Sequence, residues 1–176
     1  DASSLEQYAR GLIESSFGSA TFFTAVESAF LPSKHIQVKE LARNFVDGVN
    51  SPTFSWADFE VTNYRVNGAY IFGQNEILIS KELKTNDLLL KKVLLEELGH
   101  WFDDSVGNQD SAGDEGDLFS RNILGHEFYT EADSNIHSSG YLSINGKIYA
   151  AEFDANAPTI QFSEAATSVT SNGLSL

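Results

Sequence analysis

The chain has 176 residues, of which 41% are apolar and 12% are aromatic. This is enough for one packed core and too little for two, so one domain over residues 1–157 is predicted, followed by a Ser/Thr-rich tail or linker over 158–176. Eleven basic residues stand against 25 acidic ones, giving a formal net charge of −14. Such a surface repels nucleic-acid phosphates and anionic lipids, so neither nucleic acid nor a membrane is expected as a partner.

The absence of Cys narrows the chemistry that the chain can perform, because it excludes disulfides, thiolate nucleophiles and thiolate metal sites. Carboxylates, imidazoles, hydroxyls and the backbone remain. The sequence also contains no Met and begins at Asp1, which predicts a processed piece of a larger protein. An acidic composition without Cys is common among proteins that bacteria secrete, so we expect a secreted, extracellular protein.

The order of predicted elements indicates an α+β fold. Three amphipathic helices are predicted over residues 3–17, 21–30 and 35–49, because apolar side chains recur there at helical spacing. From Ser51 the pattern changes to alternation, which predicts two or three strands of a small antiparallel sheet. Near the C-terminus Asn145-Gly146 separates two alternating segments, and this dipeptide is typical of the type I′ turn of a β-hairpin.

The strongest helix signal covers residues 86–105, and a shorter helix is predicted over 114–124 after a Gly/Asp-rich loop. One face of the longer helix is a continuous apolar arc that belongs in the core. The opposite side carries, within about 100°, four polar side chains: Glu96, Glu97, His100 and Asp104. Apolar side chains share this side one to two turns earlier, so we expect the floor of a groove there.

Glu96 and His100 have the spacing of two metal ligands on one helix. They are four residues apart, so their side chains project from consecutive turns on the same side, as two ligands of one ion must. Glu97 is offset by one position from Glu96, and from there its carboxylate can contact a water bound to that ion.

Residues 96–100, Glu-Glu-Leu-Gly-His, resemble the His-Glu-x-x-His active helix of zincin metallopeptidases, in its His-Glu-(Leu/Phe)-Gly-His-x-x-Asp form. Asp103 also matches. One position departs, since Glu96 stands where the family has its first metal-binding His. Residues 75–80 precede the helix where zincins have the edge strand that pairs with substrate. Glu115 opens the next helix, where gluzincin-type members supply a third, carboxylate ligand.

The zincin resemblance implies a secreted metal-dependent peptidase that hydrolyses peptide bonds by activating a water on the metal. Glu96, His100 and Glu115 would be the metal ligands, and Glu97 would be the catalytic base. The substrate would be a peptide or protein, including the larger protein from which the chain itself comes.

A second resemblance covers residues 65–153, which are similar to modules of large secreted calcium-binding proteins of photosynthetic bacteria. In those modules a Leu-Leu-Glu-Glu-x-Gly-His-x-x-Asp helix is followed by a Gly-Asp-Glu-Gly segment and a terminal Asn/Asp-Gly hairpin. This resemblance brings no established activity. It implies the alternative function, a non-catalytic metal- or calcium-binding structural module of a secreted adhesin-like protein.

The Glu at position 96 bears on which metal is expected. One imidazole and two carboxylates neutralise a divalent ion, so a bound water is polarised less than at a typical catalytic zinc centre. Oxygen donors also favour harder ions, so Mn²⁺, Fe²⁺ and Ca²⁺ are alternatives to Zn²⁺, the first expectation. Two other interpretations stay open: a solvent-exposed Glu-Glu pair with a His near the helix C-terminus, and Ca²⁺ held by the acidic loop of residues 103–117.

Overall fold

The structure, a computed structural model, describes residues 2–59, 65–107, 109, 111, 114–129 and 136–156. Within these ranges the chain forms five α-helices and a five-stranded sheet, which confirms the α+β prediction. The predicted tail over 158–176 lies outside the described residues. No helix in the described ranges is long and apolar enough to cross a bilayer.

The helices lie close to their predicted positions. They are α1 (Ala2–Phe17), α2 (Thr21–Ala29), α3 (His35–Val46), α4 (Asp87–Ser105) and α5 (Glu115–Leu124), with short 3₁₀ turns at Pro32–Lys34, Lys81–Thr85 and His126–Phe128. The strands are β1 (Thr53–Ala57), β2 (Arg65–Ile71), β3 (Glu76–Ser80), β4 (Ile136–Ile144) and β5 (Lys147–Asn156).

Helix α4 is the central element of the fold. It begins after Asn86, whose side-chain oxygen accepts a hydrogen bond from the Leu89 N–H at 3.2 Å and so caps the first turn. Every residue from 92 to 103 is buried, because α5 and the N-terminal helices cover one side of α4 and strands β2 and β5 cover the other. The polar side of α4, predicted to be the floor of a groove, is covered by the sheet, so its carboxylates and imidazole are buried.

Aromatic side chains from several helices hold the helical layer together. The Phe102 and Phe119 rings join α4 to α5, with centroids 5.7 Å apart at 79°. Phe45 joins α3 to α4 through Trp101, at 5.7 Å. Edge-to-face ring pairs of this kind contribute about 0.5–1.5 kcal/mol each beyond the area that they bury.

The sheet has the strand order β1-β3-β2-β5-β4 and is mixed, since β1 and β3 are parallel and the other neighbours are antiparallel. The prediction of a purely antiparallel sheet is wrong in this one pair. The prediction that residues 75–80 form an edge strand is also wrong, because β3 lies between β1 and β2. Its run Ile77-Leu78-Ile79 is buried on both faces of the sheet, which favours a central position.

Strands β4 and β5 form the predicted hairpin. Asn145 and Gly146 both have positive φ, 52° and 74°, as a type I′ turn requires. Strand β5 pairs with β2 so that Glu152 lies opposite Tyr70 and Asp154 lies opposite Gly68, after a register shift between Val66 and Gly68. Alternation along the strand turns both acidic side chains toward α4.

Candidate metal centre

Two glycines let α4 and α5 cross at very short distance. A Cβ at Gly99 would lie 2.7 Å from the Cα of Gly116, and a Cβ at Gly116 would lie 2.6 Å from the backbone oxygen of Glu96. Any side chain at either position would push the helices apart. This close approach brings Glu115, the first residue of α5, beside His100 of α4.

The His100 imidazole is surrounded by carboxylates. Its Nδ1 lies 2.9 Å from a side-chain oxygen of Glu115 and 2.9 Å from one of Glu152. Its Nε2 faces Asp114, whose oxygen is 3.9 Å away. Asp114 also caps α5, since its side chain accepts a hydrogen bond from the Asp117 N–H at 2.8 Å.

The structure arranges these side chains in two groups that share His100. Glu96 and Asp114 form one group with it, and Glu115 and Glu152 form the other, and within each group the ligand atoms lie within 4.8 Å of one another. Glu96, His100 and Glu115 are all buried, with 1%, 5% and 3% of their surface exposed. The interpretation of residues 96 and 97 as a solvent-exposed pair is therefore wrong, and the two groups can hold a divalent metal ion.

Glu97 has a different environment from the other carboxylates. It is fully buried against β2, where a Cβ on Gly68 would lie 2.9 Å from its Oε1. Neither carboxylate oxygen has a hydrogen-bond partner among the described residues. Burial raises the pKa of Glu97 well above its usual value; nearby carboxylates add to the effect, and His100 opposes it.

The pKa values of His100 and Glu115 report the same enclosed, negatively charged surroundings. Burial alone would lower the pKa of His100, but hydrogen bonds to Glu115 and Glu152 and the charge of Glu97 raise it well above its usual value. Burial raises the pKa of Glu115, against the opposing effect of His100. Without a metal, the imidazolium is thus the cation that these carboxylates share.

Two other acidic residues of α4 bond to side chains outside the two ligand groups. Asp103, which matches the zincin motif, lies 2.8 Å from the Nζ of Lys34 and accepts hydrogen bonds from Ser111. Asp104 accepts a hydrogen bond from the Tyr70 hydroxyl at 2.6 Å. Residues 108, 110 and 112–113 of the acidic loop lie outside the described residues, so Ca²⁺ binding in that loop stays a prediction.

Glu152 and Asp114 belong to the two ligand groups. The sequence analysis did not assign Glu152, and it placed Asp114 only in the acidic loop of the Ca²⁺ alternative. A signal for Glu152 was present in the predicted hairpin. Tyr149, Ala151 and Phe153 alternate along β5, so Glu152 must point to the opposite face. The sequence does not tell which face turns toward α4, and only the pairing of β5 with β2 decides it.

The chain matches no protein family model, no curated protein and no solved structure. The likeness to zincins is therefore carried by the motif alone and stays a prediction. The structure itself shows buried and partly buried His, Glu and Asp side chains that can hold a divalent metal ion, without showing which ion.

Proposed function

We propose that the protein is a metal-dependent hydrolase that cleaves peptide bonds, with Glu97 as its catalytic base. The observation that carries this proposal is the Glu97 carboxylate, which is fully buried next to His100 and has no hydrogen-bond partner among the described residues. Ionising a buried carboxyl group that has no partner costs several kcal/mol, which is why the pKa of Glu97 is raised without a metal. A bound cation and its water would offset that cost.

His100, Glu115 and Glu152 are the ligands that the distances favour. Nδ1 of His100 lies 2.9 Å from both carboxylates, whereas Nε2 lies 3.9 Å from Asp114. We therefore assign the ion to the Nδ1 side. Glu96, which the motif places first among the ligands, belongs with Asp114 to the alternative position on the other side of the ring.

The donor set also favours a class of ion. Two carboxylates and one imidazole form a neutral site with a divalent ion, and oxygen-rich sites suit harder ions than the His-rich sites of zinc enzymes. Ca²⁺ commonly takes six to eight oxygen ligands and has no preference for imidazole. We propose Mn²⁺ or Fe²⁺ as the resident ion, with Zn²⁺ as the competitor that the motif implies.

The residues around the ion divide the chemistry between them. A bound divalent ion would polarise the peptide carbonyl and lower the pKa of an attacking water. Glu97 would accept the proton of that water and pass it to the leaving amine, and a raised pKa suits a base that works near neutral pH. The side chains of Glu152 and Asp114 are 16% and 23% exposed, so the site meets solvent on their side.

The enclosure of the centre favours a second candidate, a non-catalytic module that a metal stabilises. Catalytic metal sites keep an open coordination position, whereas structural sites are closed by protein ligands. Glu97 has no exposed surface and His100 has only 5%. In this role the ion would link α4, α5 and β5 and would contribute to folding.

Elemental analysis and one substitution distinguish the two candidates. Wild-type protein loaded with Mn²⁺, Fe²⁺ or Zn²⁺ is dialysed, analysed for metal and incubated with a peptide library, beside Glu97→Gln and the exposed control Glu14→Gln. The hydrolase predicts that all three retain the ion and that Glu97→Gln alone fails to cleave. If all three retain the ion and are equally inert, the structural module is correct. If wild type retains no ion, both candidates fail.

A further inference from the structure

A second buried polar cluster lies at the C-terminal end of α4, outside the metal centre. Its members are Lys34, Asp103 and Ser111, with 3%, 4% and 3% of their surface exposed. Lys34 Nζ lies 2.8 Å from the Asp103 carboxylate and donates a hydrogen bond to the Asp103 carbonyl at 3.0 Å. We call these three residues the Lys34 cluster.

The Lys34 cluster ties the loop between α4 and α5 to two other parts of the fold. The Ser111 N–H donates to Asp103 Oδ2 at 3.3 Å, and the Ser111 hydroxyl donates to Asp103 Oδ1. The same hydroxyl oxygen accepts a hydrogen bond from the Leu31 N–H at 3.2 Å. Ser111 is thus held both to α4 and to the turn that precedes α3.

The charges in the Lys34 cluster are matched, so it needs no ligand of its own. One ammonium group faces one carboxylate, and the remaining acceptors are used by Ser111 and Lys34. A buried ion pair that is also hydrogen-bonded in this way is costly to break and defines one local geometry. The Lys34 cluster is therefore a structural connection between Ser111, α4 and the turn before α3.

The position of the Lys34 cluster along the chain links it to the metal centre. Asp103 lies three residues after His100 on α4, and Ser111 lies three residues before Asp114, which caps α5 and precedes Glu115. The hydrogen bonds between Asp103 and Ser111 therefore hold a residue just before the α5 cap against the helix that carries His100. A shift at that point would move the Glu115 carboxylate, which lies 2.9 Å from Nδ1.

We infer that Lys34, Asp103 and Ser111 are positioning residues for the metal centre, and that they set its affinity without touching the ion. This inference rests on the proposed function, since it takes the ion to bind at His100 and Glu115. Partners that orient metal ligands typically change metal affinity by 10–100-fold when they are removed. The N-terminal half of the chain, through Lys34, thereby contributes to a site formed by the C-terminal half.

The first test is Ser111→Ala, with Ser16→Ala as its matched control. Ser16 is also buried and lies in α1, where its hydroxyl donates a hydrogen bond to the Ile13 carbonyl at 2.6 Å. The Ser111 hydroxyl makes two hydrogen bonds, one to Asp103 and one from the Leu31 N–H. Mn²⁺ is titrated into each metal-free protein by calorimetry. We expect the Kd of Ser111→Ala to rise about 10–100-fold and that of Ser16→Ala to stay at the wild-type value. Equal Kd values for wild type and Ser111→Ala would overturn the inference.

A second test removes both charges of the Lys34 cluster together, so that a failure to fold is not mistaken for a loss of metal binding. Asp103→Asn alone would leave Lys34 buried without its counter-charge, so the double variant Lys34→Met/Asp103→Leu is used, which removes both charges together. We expect it to fold, to bind Mn²⁺ more weakly than wild type, and to show no further loss when Ser111→Ala is added. A further loss of tenfold or more would contradict a shared role for the three residues.

Amide hydrogen exchange in the metal-free proteins separates this inference from the proposed function. We expect Ser111→Ala to speed exchange of the Asp117 and Leu118 amides, which donate to Asp114 at the start of α5, and to leave α1 unchanged. Unchanged exchange in α5 would overturn the inference whatever the metal does. If wild type binds none of Mn²⁺, Fe²⁺ and Zn²⁺, the proposed function fails, and the exchange rates alone decide the role of the Lys34 cluster.

Discussion

Replacing Glu97 with Gln should change how the stability of the metal-free protein depends on pH. Glu97 is fully buried, and its two oxygens have no hydrogen-bond partner among the described residues. Burial therefore raises its pKa well above the value of 4.5 that is usual for Glu. Gln has nearly the same shape and cannot ionise, so the substitution removes this one titration.

The sign and size of the effect follow from proton linkage. Above pH 4.5 the unfolded chain releases the Glu97 proton while the folded protein retains it, so the free energy of unfolding falls as pH rises toward the folded pKa. The slope is about 1.4 kcal/mol per pH unit. Between about pH 5 and pH 6 the stability of Glu97→Gln relative to wild type should therefore rise, by at most about 1.4 kcal/mol.

Urea titrations in the presence of EDTA at several pH values measure this difference, with the buried Trp101 as a fluorescent reporter. Glu14→Gln, which changes an exposed Glu of α1, is the control and should keep a constant difference from wild type. A constant difference for Glu97→Gln over the same window would refute the reasoning, because it would mean that the Glu97 carboxylate is compensated in the folded protein.

Three further predictions concern the metal centre. Mn²⁺ at about 100 times its Kd should raise the free energy of unfolding by about 2.7 kcal/mol, and EDTA should abolish the increase in a calorimetric scan. Gly116→Ala should cost about 1–3 kcal/mol in urea titrations, because its Cβ would lie 2.6 Å from Nε2 of His100. Gly11→Ala, with open space, should stabilise α1 by about 0.5–1 kcal/mol. Glu152→Gln should weaken Mn²⁺ binding about tenfold or more, with the exposed Glu27→Gln unaffected; equal affinities would contradict the assignment of Glu152.

The helices could be predicted because their signals are local. Helical periodicity and the Asn86 cap define α4 within the segment itself, and the Asn145-Gly146 turn defines the hairpin in the same way. The place of β3 in the sheet depends on partners far along the chain. The apolar run Ile77-Leu78-Ile79 in β3 indicates a strand buried on both faces. This run argued against the edge position that the zincin likeness implied.

In the candidate site, too, the residues that could be predicted are those with a local signal. The spacing of Glu96 and His100 on one helix indicated a common side, and the burial of both agrees with a site rather than a solvated face. Glu115 came from the resemblance, and the Gly99–Gly116 crossing is what brings it close. Glu152 lies 52 residues after His100 and reaches it only through the pairing of β5 with β2, which no local pattern encodes.

The register shift between Val66 and Gly68 has a consequence for how the protein tolerates change. Side chains on a strand alternate between faces, so a slip of one residue between β2 and β5 would turn Glu152 and Asp154 outward and present Ala151 and Phe153 to α4. Deleting Asn67, at the bulge, invites that slip. The backbone irregularity in β2 thus decides whether the face of the sheet toward α4 is acidic or apolar. Single-residue insertions or deletions at this point should therefore be far more damaging than point substitutions.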